Sequence, residues 1–265
     1  VFSFILGTLL CMSSPAAHAA GSSAAASSPL VGVDLLTFNT WGLPAPIARS
    51  RSARFPRIQR FLERAQDDVI GLQEVWRGAR RLLSLRGLRF PGGDGDSGLA
   101  VLSRLPVEAT RSLTYRAASG IDRLKDKGAL LATVDHPDAG RLHVVTTHLQ
   151  AGRGGGAQAA RAAQIDELLA LSGGLSGPVV LMGDFNLYGD LDVDRDAAGR
   201  LADAGFVDVA AALGVTSPTH ASEAARLDRV FIRGGQPLAA EVLDPRGLSD
   251  HRPLQVRVGL PAGAR

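Results

Sequence analysis

The sequence predicts a single α/β domain built on mixed rather than all-parallel β-sheets. Three observations carry that expectation. From Leu30 onward, short apolar runs alternate with amphipathic stretches, as strands interleaved with helices do. Glycine and proline cluster at 91–98, 152–156, 173–178 and 234–237, punctuating the chain without a repeat or a dividing linker. The gaps from Leu99 to Val107 and from Ala129 to Leu142 are of hairpin size, which requires antiparallel neighbours.

Taken in chain order, the N-terminal residues stand outside that domain. Residues 1–12 form an apolar segment too short to span a bilayer, followed by Ala17-His18-Ala19 and a Ser/Ala-rich stretch to Ser28. The pattern is that of a secretory signal peptide cut after Ala19. Its basic start is missing, so residues 1–19 read as an N-terminally incomplete leader and 20–29 as a flexible spacer. The expected destination is extracellular or periplasmic. Cys11, the only cysteine, falls in the leader, which excludes disulfides and Cys-ligated metal from the mature chain. About 245 residues remain, enough for one sizeable core, assigned to a single domain over 30–260. They contain no long apolar run, so no transmembrane anchor is expected. A net charge of +3, with arginine far outnumbering lysine, suits an anionic substrate or surface but decides little by itself.

Within that domain, apolar runs place strands at 31–38, 69–72, 98–102, 129–134, 142–147, 179–182, 230–232 and 254–258. Helical spacing covers 53–66 and 157–171, the latter with Ile165, Leu168 and Leu169 on one stripe.

The chemistry sits where strands end. Leu181-Met182-Gly183-Asp184-Phe185-Asn186 closes an apolar run with a carboxylate and a carboxamide two residues apart. On extended backbone both face the same way, with Phe185 turned to the core. Alone, this is equally a strand leading into an Asx-type turn. Four other places repeat it: 33–38 ends in Asn39, 69–72 in Gln73-Glu74, 142–147 in His148, and Ser249-Asp250-His251 precedes the last strand. Strand ends on one edge of α/β sheets converge on one crevice, so five of them form a site. Asn39 and Glu74 are hard oxygen donors of the kind Mg²⁺ prefers, while the lack of cysteine and of a closely spaced histidine pair disfavours zinc. His148 and His251 can change charge near neutral pH. Asp184 and Asn186 supply an acceptor and a donor able to hold a water. A hard cation, two imidazoles and several oxygen donors match in-line displacement at phosphorus.

Six motifs carry a resemblance. Phe38-Asn39-Thr40-Trp41-Gly42-Leu43-Pro44, Leu72-Gln73-Glu74-Val75-Trp76, Thr147-His148-Leu149, Gly183-Asp184-Phe185-Asn186, Leu227-Asp228-Arg229-Val230-Phe231 and Ser249-Asp250-His251-Arg252-Pro253 occur in the order of the endonuclease/exonuclease/phosphatase superfamily, which the chain resembles from about Val31 to Val258. Within it, the chain is most similar to secreted bacterial sphingomyelinases. The Trp-Gly-Leu-Pro after Asn39, Glu74-Val75-Trp76, Asp126-Lys127-Gly128, and His148-Leu149-Gln150-Ala151 followed by Arg161, Gln164 and Glu167-Leu168 carry that likeness. The resemblance implies a four-layer α/β/β/α sandwich, with two mixed β-sheets packed face to face and helices outside. It implies that Glu74 binds an essential Mg²⁺, with Mn²⁺ or Co²⁺ as substitutes, and that Asn39 lies close to the ion or the phosphate. His148 would donate to the phosphoryl oxygens, while Asp184 and Asn186 orient the attacking water. His251 would be the general base, oriented by Asp228, with Asp250 beside it at the metal or phosphate. Whether His251 or Asp184 takes the water's proton stays open at this level.

The implied substrate is a phospholipid or sphingolipid, above all sphingomyelin, met at a membrane surface by a monomer with no obligate protein partner. The aromatic-bearing docking hairpin of the better-known secreted members is missing, since 234–248 contains no aromatic residue. Trp41, Leu43, Pro44 or Trp76 are then the alternative anchors. A secreted nuclease is the second reading, with Arg49, Arg51, Arg54, Arg57, Arg77, Arg80 and Arg81 as a basic track; arginine at helical spacing is more commonly a solvated face. A catalytically silent binding protein is the third. Other residues receive bland expectations. His136 and His143 are taken as surface residues of a hairpin, His220 as loop-exposed rather than lining the cleft, and Lys127 as either a phosphate contact or solvent-facing. Asp190, Asp192, Asp194 and Asp196 are expected in a solvated acidic loop rather than a Ca²⁺ site. The Gly152–156 run is expected to be a flexible loop before a helix, since it lacks the ending of a phosphate-binding loop.

Overall fold

The computed structural model describes residues 29–90, 96–223 and 225–263; the leader over 1–19 and all but the last residue of the 20–29 spacer lie outside them. In chain order the elements are β1 (Leu30–Asn39), α1 (Arg51–Arg64), β2 (Val69–Gln73), α2 (Arg77–Arg80), β3 (Leu88–Arg89), β4 (Ala100–Ser103) and β5 (Val107–Thr114). A 3₁₀ turn (Gly120–Leu124) leads to β6 (Gly128–His136), β7 (Gly140–His148), α3 (Gly155–Gly173), β8 (Val179–Asp184) and α4 (Asp192–Asp203). The chain closes with β9 (Val207–Asp208), α5 (Val209–Ala212), β10 (Asp228–Arg233), β11 (Gln236–Val242) and β12 (Leu254–Pro261).

The strands form two six-stranded mixed sheets, ordered β11-β12-β1-β2-β4-β3 and β5-β6-β7-β8-β10-β9. Each contains one parallel pair, β1 with β2 and β7 with β8. A crossover helix joins each pair, α1 in the first and α3 in the second, as parallel neighbours demand. Three apolar layers follow from the alternation of side chains on the strands. Between the sheets lie Val33, Leu35, Val69, Leu130, Val144, Val180, Met182 and Val256. Outside the first sheet, Leu36, Phe38, Ile70 and Leu72 meet Phe55, Ile58 and Leu62 of α1, whose spacing puts them on one helical face. Outside the second, Leu131, Val145 and Leu181 meet Ile165 and Leu168 of α3 and Leu201 of α4. The result is the α/β/β/α sandwich, with helices on both outer faces.

All eight expected strands and both helices form, but two expectations need correction. Leu99 and Val107 do not flank a hairpin: β4 pairs with β2 and β3, whereas β5 crosses to the edge of the other sheet. The spacing was right for a turn, yet chain length alone does not say which sheet receives the next strand. The acidic stretch is not a loop either. Asp192 opens α4, and acids in a first helical turn favour the positive end of the helix.

Register brings the strand ends to one place. Asn39 pairs with Gln73 at the ends of β1 and β2, and His148 with Asp184 at the ends of β7 and β8. Antiparallel β10 starts where β8 stops, with Asp228 opposite Asp184. Likewise Leu254 of β12 lies opposite Thr37 of β1, so Ser249-Asp250-His251 enters beside Asn39.

Candidate active site

Asp184 is the centre of the cluster. Its Oδ2 accepts from Asn39 Nδ2 at 3.1 Å and stands 3.3 Å from His148 Nε2 and 3.7 Å from His251 Nε2. Its Oδ1 accepts the backbone N–H of Asn186 at 3.1 Å, with Asn186 in the left-handed region at φ 50°. The segment is therefore an Asx turn and part of the site at once. Asn186 Nδ2 donates to Leu149 O at 3.3 Å, tying the loops after β7 and β8. Gly183 is needed for this approach: at φ 146° an added Cβ would lie 2.0 Å from the carbonyl oxygen of Thr147, forcing β8 off β7.

Glu74 leaves β2 with φ 58°, a conformation costly for a residue with a Cβ and concentrated at functional positions. Asn39 Nδ2 donates to its Oε1 at 3.3 Å, so one amide nitrogen stands between the carboxylates of Glu74 and Asp184. The Asn39 oxygen is spent on the N–H of Trp41 at 3.0 Å, so Asn39 presents donors to the cleft. Glu74 Oε2 is buried without a partner, and burial, only partly offset by Asn39 and His251, raises the Glu74 pKa. An orphaned, desolvated carboxylate oxygen fits a hard divalent cation.

His251 Nδ1 lies 2.8 Å from Asp228 Oδ2, and Asp228 is fully buried. Burial favours the neutral imidazole, but Asp228 and Asp184 outweigh it and lift the His251 pKa to about 10. Burial itself raises Asp228 against the pull of His251, while Asp184 is held below the usual carboxylate range, His148 and His251 overcoming burial. Ser249 Oγ fixes the histidine's loop, donating to Asn39 O at 2.7 Å and accepting the His251 N–H at 3.1 Å. Asp250 is half-buried beside it. All eight residues expected at the site thus gather at one end of the two facing sheets.

Four further side chains join them. For Lys127 the sequence left a phosphate contact and a solvent-facing position both open; His220 and Arg54 were expected in a loop and in a basic track, and Asp122 carried no expectation. Lys127 is 4% exposed and sits 3.1 Å from His148 Nε2, 2.8 Å from Leu149 O and 2.8 Å from Asp122. Asp122, from the 3₁₀ turn, is buried beneath it. Burial and the Lys127 ammonium together press the His148 pKa down to about 3. His220 is not simply loop-exposed: its ring packs edge-on against His251 with centroids 4.7 Å apart, and Nε2 lies 3.9 Å from Asp250. His220, Asp250 and His251 present ligand atoms within 4.8 Å of one another. Arg54, expected in a basic track, is buried and donates to the carbonyls of Thr40, Trp41 and Leu248 at 3.0, 2.7 and 2.7 Å, bracing both loops that carry Asn39 and His251. The sequence signals for these were Lys127 within Asp126-Lys127-Gly128, one of the motifs of the sphingomyelinase likeness, and the position of His220 shortly before Asp228.

Further bland expectations fail by burial. His136 and His143 lie on the β6–β7 hairpin but are buried; His136 Nδ1 accepts the N–H groups of Asp138 and Ala139 at 3.2 Å, and His143 pairs with Thr133 at 3.0 Å. Asp194 is buried against Arg161 at 2.8 Å, and that arginine also donates to Gln150 O at 3.0 Å. Trp76 is mostly buried and Trp41 half-buried, with Arg54 4.8 Å over its ring, so neither offers a free anchor. The glycine run 152–156 leads directly into α3.

Known proteins share this framework. Inositol phosphosphingolipids phospholipase C of Schizosaccharomyces pombe is 28% identical over 173 residues, 58% of this chain and 41% of that protein; the match spans about two-fifths of the relative's length. Sphingomyelinase C from Streptomyces griseocarneus has the same fold, with a TM-score of 0.61 at 22% identity over 87% of this chain and 99% of that one. TDP2 of D. rerio complexed with single strand DNA product gives 0.67 at 19% identity, covering 86% and 98%. A mutant beta toxin from Staphylococcus aureus with bound magnesium ions gives 0.64 at 14% identity, covering 85% and 99%. The model of the Endonuclease/Exonuclease/phosphatase family matches residues 36–251. With every strand end of the cluster inside that match, the chain belongs to the endonuclease/exonuclease/phosphatase family.

Proposed function

We propose that the chain is a secreted, Mg²⁺-dependent phosphodiesterase that hydrolyses sphingomyelin or a related phosphosphingolipid. Members of its family are metal-dependent phosphoesterases, and the substrate reading rests on its likeness to phosphosphingolipid-cleaving proteins. One observation carries the chemistry: a His251–Asp228 pair faces Asp184 while Glu74 keeps a buried carboxylate oxygen without a partner. Glu74, with Asp250 nearby, would hold the cation, whose charge neutralises the phosphoryl oxygens. Asp184 and Asn186 orient a water for attack opposite the leaving oxygen. His251 Nε2 takes the water's proton, Asp228 stabilising the imidazolium that forms. Of the two acceptors left open by the sequence, His251 has the higher proton affinity, whereas Asp184 is held below the usual carboxylate range. A new P–O bond to water forms, the P–O bond to ceramide breaks, and the ceramide oxygen takes up a proton, leaving phosphocholine. Lys127 and neutral His148 stand where the phosphoryl oxygens gather charge. Manganese and cobalt are expected to substitute for magnesium, and a monomer suffices.

The test is a panel of sphingomyelin, phosphatidylcholine and duplex DNA, each with Mg²⁺ or EDTA. Release of phosphocholine from sphingomyelin, abolished by EDTA and without DNA nicking, is the expected outcome. Nicking of DNA with no lipid cleavage overturns the substrate.

A further inference from the structure

The 3₁₀ turn Gly120–Leu124 is built inside out. Its carboxylate, Asp122, is 2% exposed, whereas Ile121 and Leu124 are 70% and 85% exposed. These are the two most exposed large apolar side chains among the described residues. Residues three apart eclipse one another in a 3₁₀ helix, so Ile121 and Leu124 form one outward ridge. Singly scattered apolar side chains need no explanation, but two aligned over a buried charge do. Asp122 anchors the turn from below, accepting the N–H of Ala151 at 3.0 Å and pairing with Lys125 and Lys127 at 3.1 and 2.8 Å. Lys127 in turn touches His148, so the ridge is two contacts from the cleft. Arg123, within the turn itself, is exposed, and Lys125 lies 5.6 Å over the Trp76 ring. A groove of about 380 Å³ separates Ile121 from the Gly152–Ala157 segment.

We propose that the Ile121–Leu124 ridge docks this protein on a phospholipid surface, a reading that rests on the lipid substrate proposed above. Two aliphatic tips with the exposed Arg123 between them in the turn match the boundary between acyl chains and phosphates. They are too few for a stable protein interface, which needs about 800 Å² per partner. The ridge takes the place of an aromatic hairpin, and its tie to Lys127 sets the cleft against the surface it enters.

The test uses the full chain, with Ile121→Ser/Leu124→Ser as the double variant and Leu124→Trp as a reporter that tolerates its exposed position. Vesicles of phosphatidylcholine and sphingomyelin are sedimented in EDTA, and turnover is measured separately with Mg²⁺ on the same vesicles and on bis(p-nitrophenyl) phosphate. The double variant is expected to lose at least about tenfold in vesicle partition and vesicle turnover, given the apolar transfer removed, while soluble-diester turnover is unchanged. Leu124→Trp emission is expected to shift to the blue on vesicles. Unchanged partition in the double variant, an unshifted emission, or no vesicle binding by the wild type each overturns the ridge. So does a dimer in sedimentation equilibrium that the double variant dissolves, which assigns the ridge to a second copy. Wild-type binding that the double variant loses, with cleavage of DNA alone, keeps the ridge and overturns the substrate. Cleavage of detergent-dispersed sphingomyelin with identical vesicle turnover in both proteins keeps the substrate and overturns the ridge.

Discussion

His148 and His251 occupy matching positions on either side of Asp184, are 3% and 8% exposed, and hold opposite protonation states. Burial pushes both towards the neutral form. Lys127 at 3.1 Å adds to that push at His148, which ends at about 3. Asp228 at 2.8 Å reverses it at His251, which ends at about 10. One neighbour of opposite sign on each side separates a histidine that stays neutral from one that carries the proton in the metal-free chain. Pairs of titratable groups pushed apart in this way mark acid–base assignments. Cation charge bound at Glu74 would lower the proton affinity of His251 towards the range a general base needs.

The largest test of that contrast removes His251. His251→Ala is expected to lower turnover by about 10²–10⁴-fold, whereas near-normal turnover would strip His251 of its role. Glu74→Gln comes next. Losing a ligand should raise the half-saturating Mg²⁺ concentration by at least about tenfold, and an identical metal titration would remove Glu74 from the cation site.

Asp228→Asn tests the cause of the shift. By NMR of the metal-free protein, the His251 pKa should fall from about 10 towards the ordinary value near 6.5. Because folding raises this pKa, the stability it contributes is fully present below about pH 6.5 and is lost as pH rises through about 10. Denaturation midpoints of the wild type should therefore decline across that window, and those of Asp228→Asn should lack this component. The smallest effect is expected from Lys127→Met, which should raise the His148 pKa while burial still keeps it below the ordinary value. A His148 titration that does not move would show that burial alone sets it.

Much of the site was legible because its chemistry is written at strand ends. Asn39, Glu74, His148 and Asp184 each follow an apolar run, and a polar residue at that point has little use in a core. Asp122, Lys127, Arg54 and Arg161 were not legible in the same way. Each is a buried charge: Asp122 and Lys127 pair with each other, Arg161 with Asp194, and Arg54 with backbone carbonyls. A charged letter in sequence looks the same whether it faces solvent or a buried partner. The edge strands β5 and β11 were missed because their side chains are mostly exposed or half-buried, leaving no apolar run to find. In α4, Ala197 and Leu201 are the buried i, i+4 pair that the surrounding acids concealed.

By itself the sequence determined the strands that carry the site, which polar groups end them and which family they belong to, because periodicity and motif order are local properties read along the chain. Only the tertiary structure decided which sheet receives β5, that Asp184 stands between two histidines, and that those histidines differ in charge. The physical reason is that register, burial and counter-charge are set by groups distant in the chain. Lys127 and His148 are 21 residues apart, Asp228 and His251 are 23, and Asn39 and Asp184 are 145.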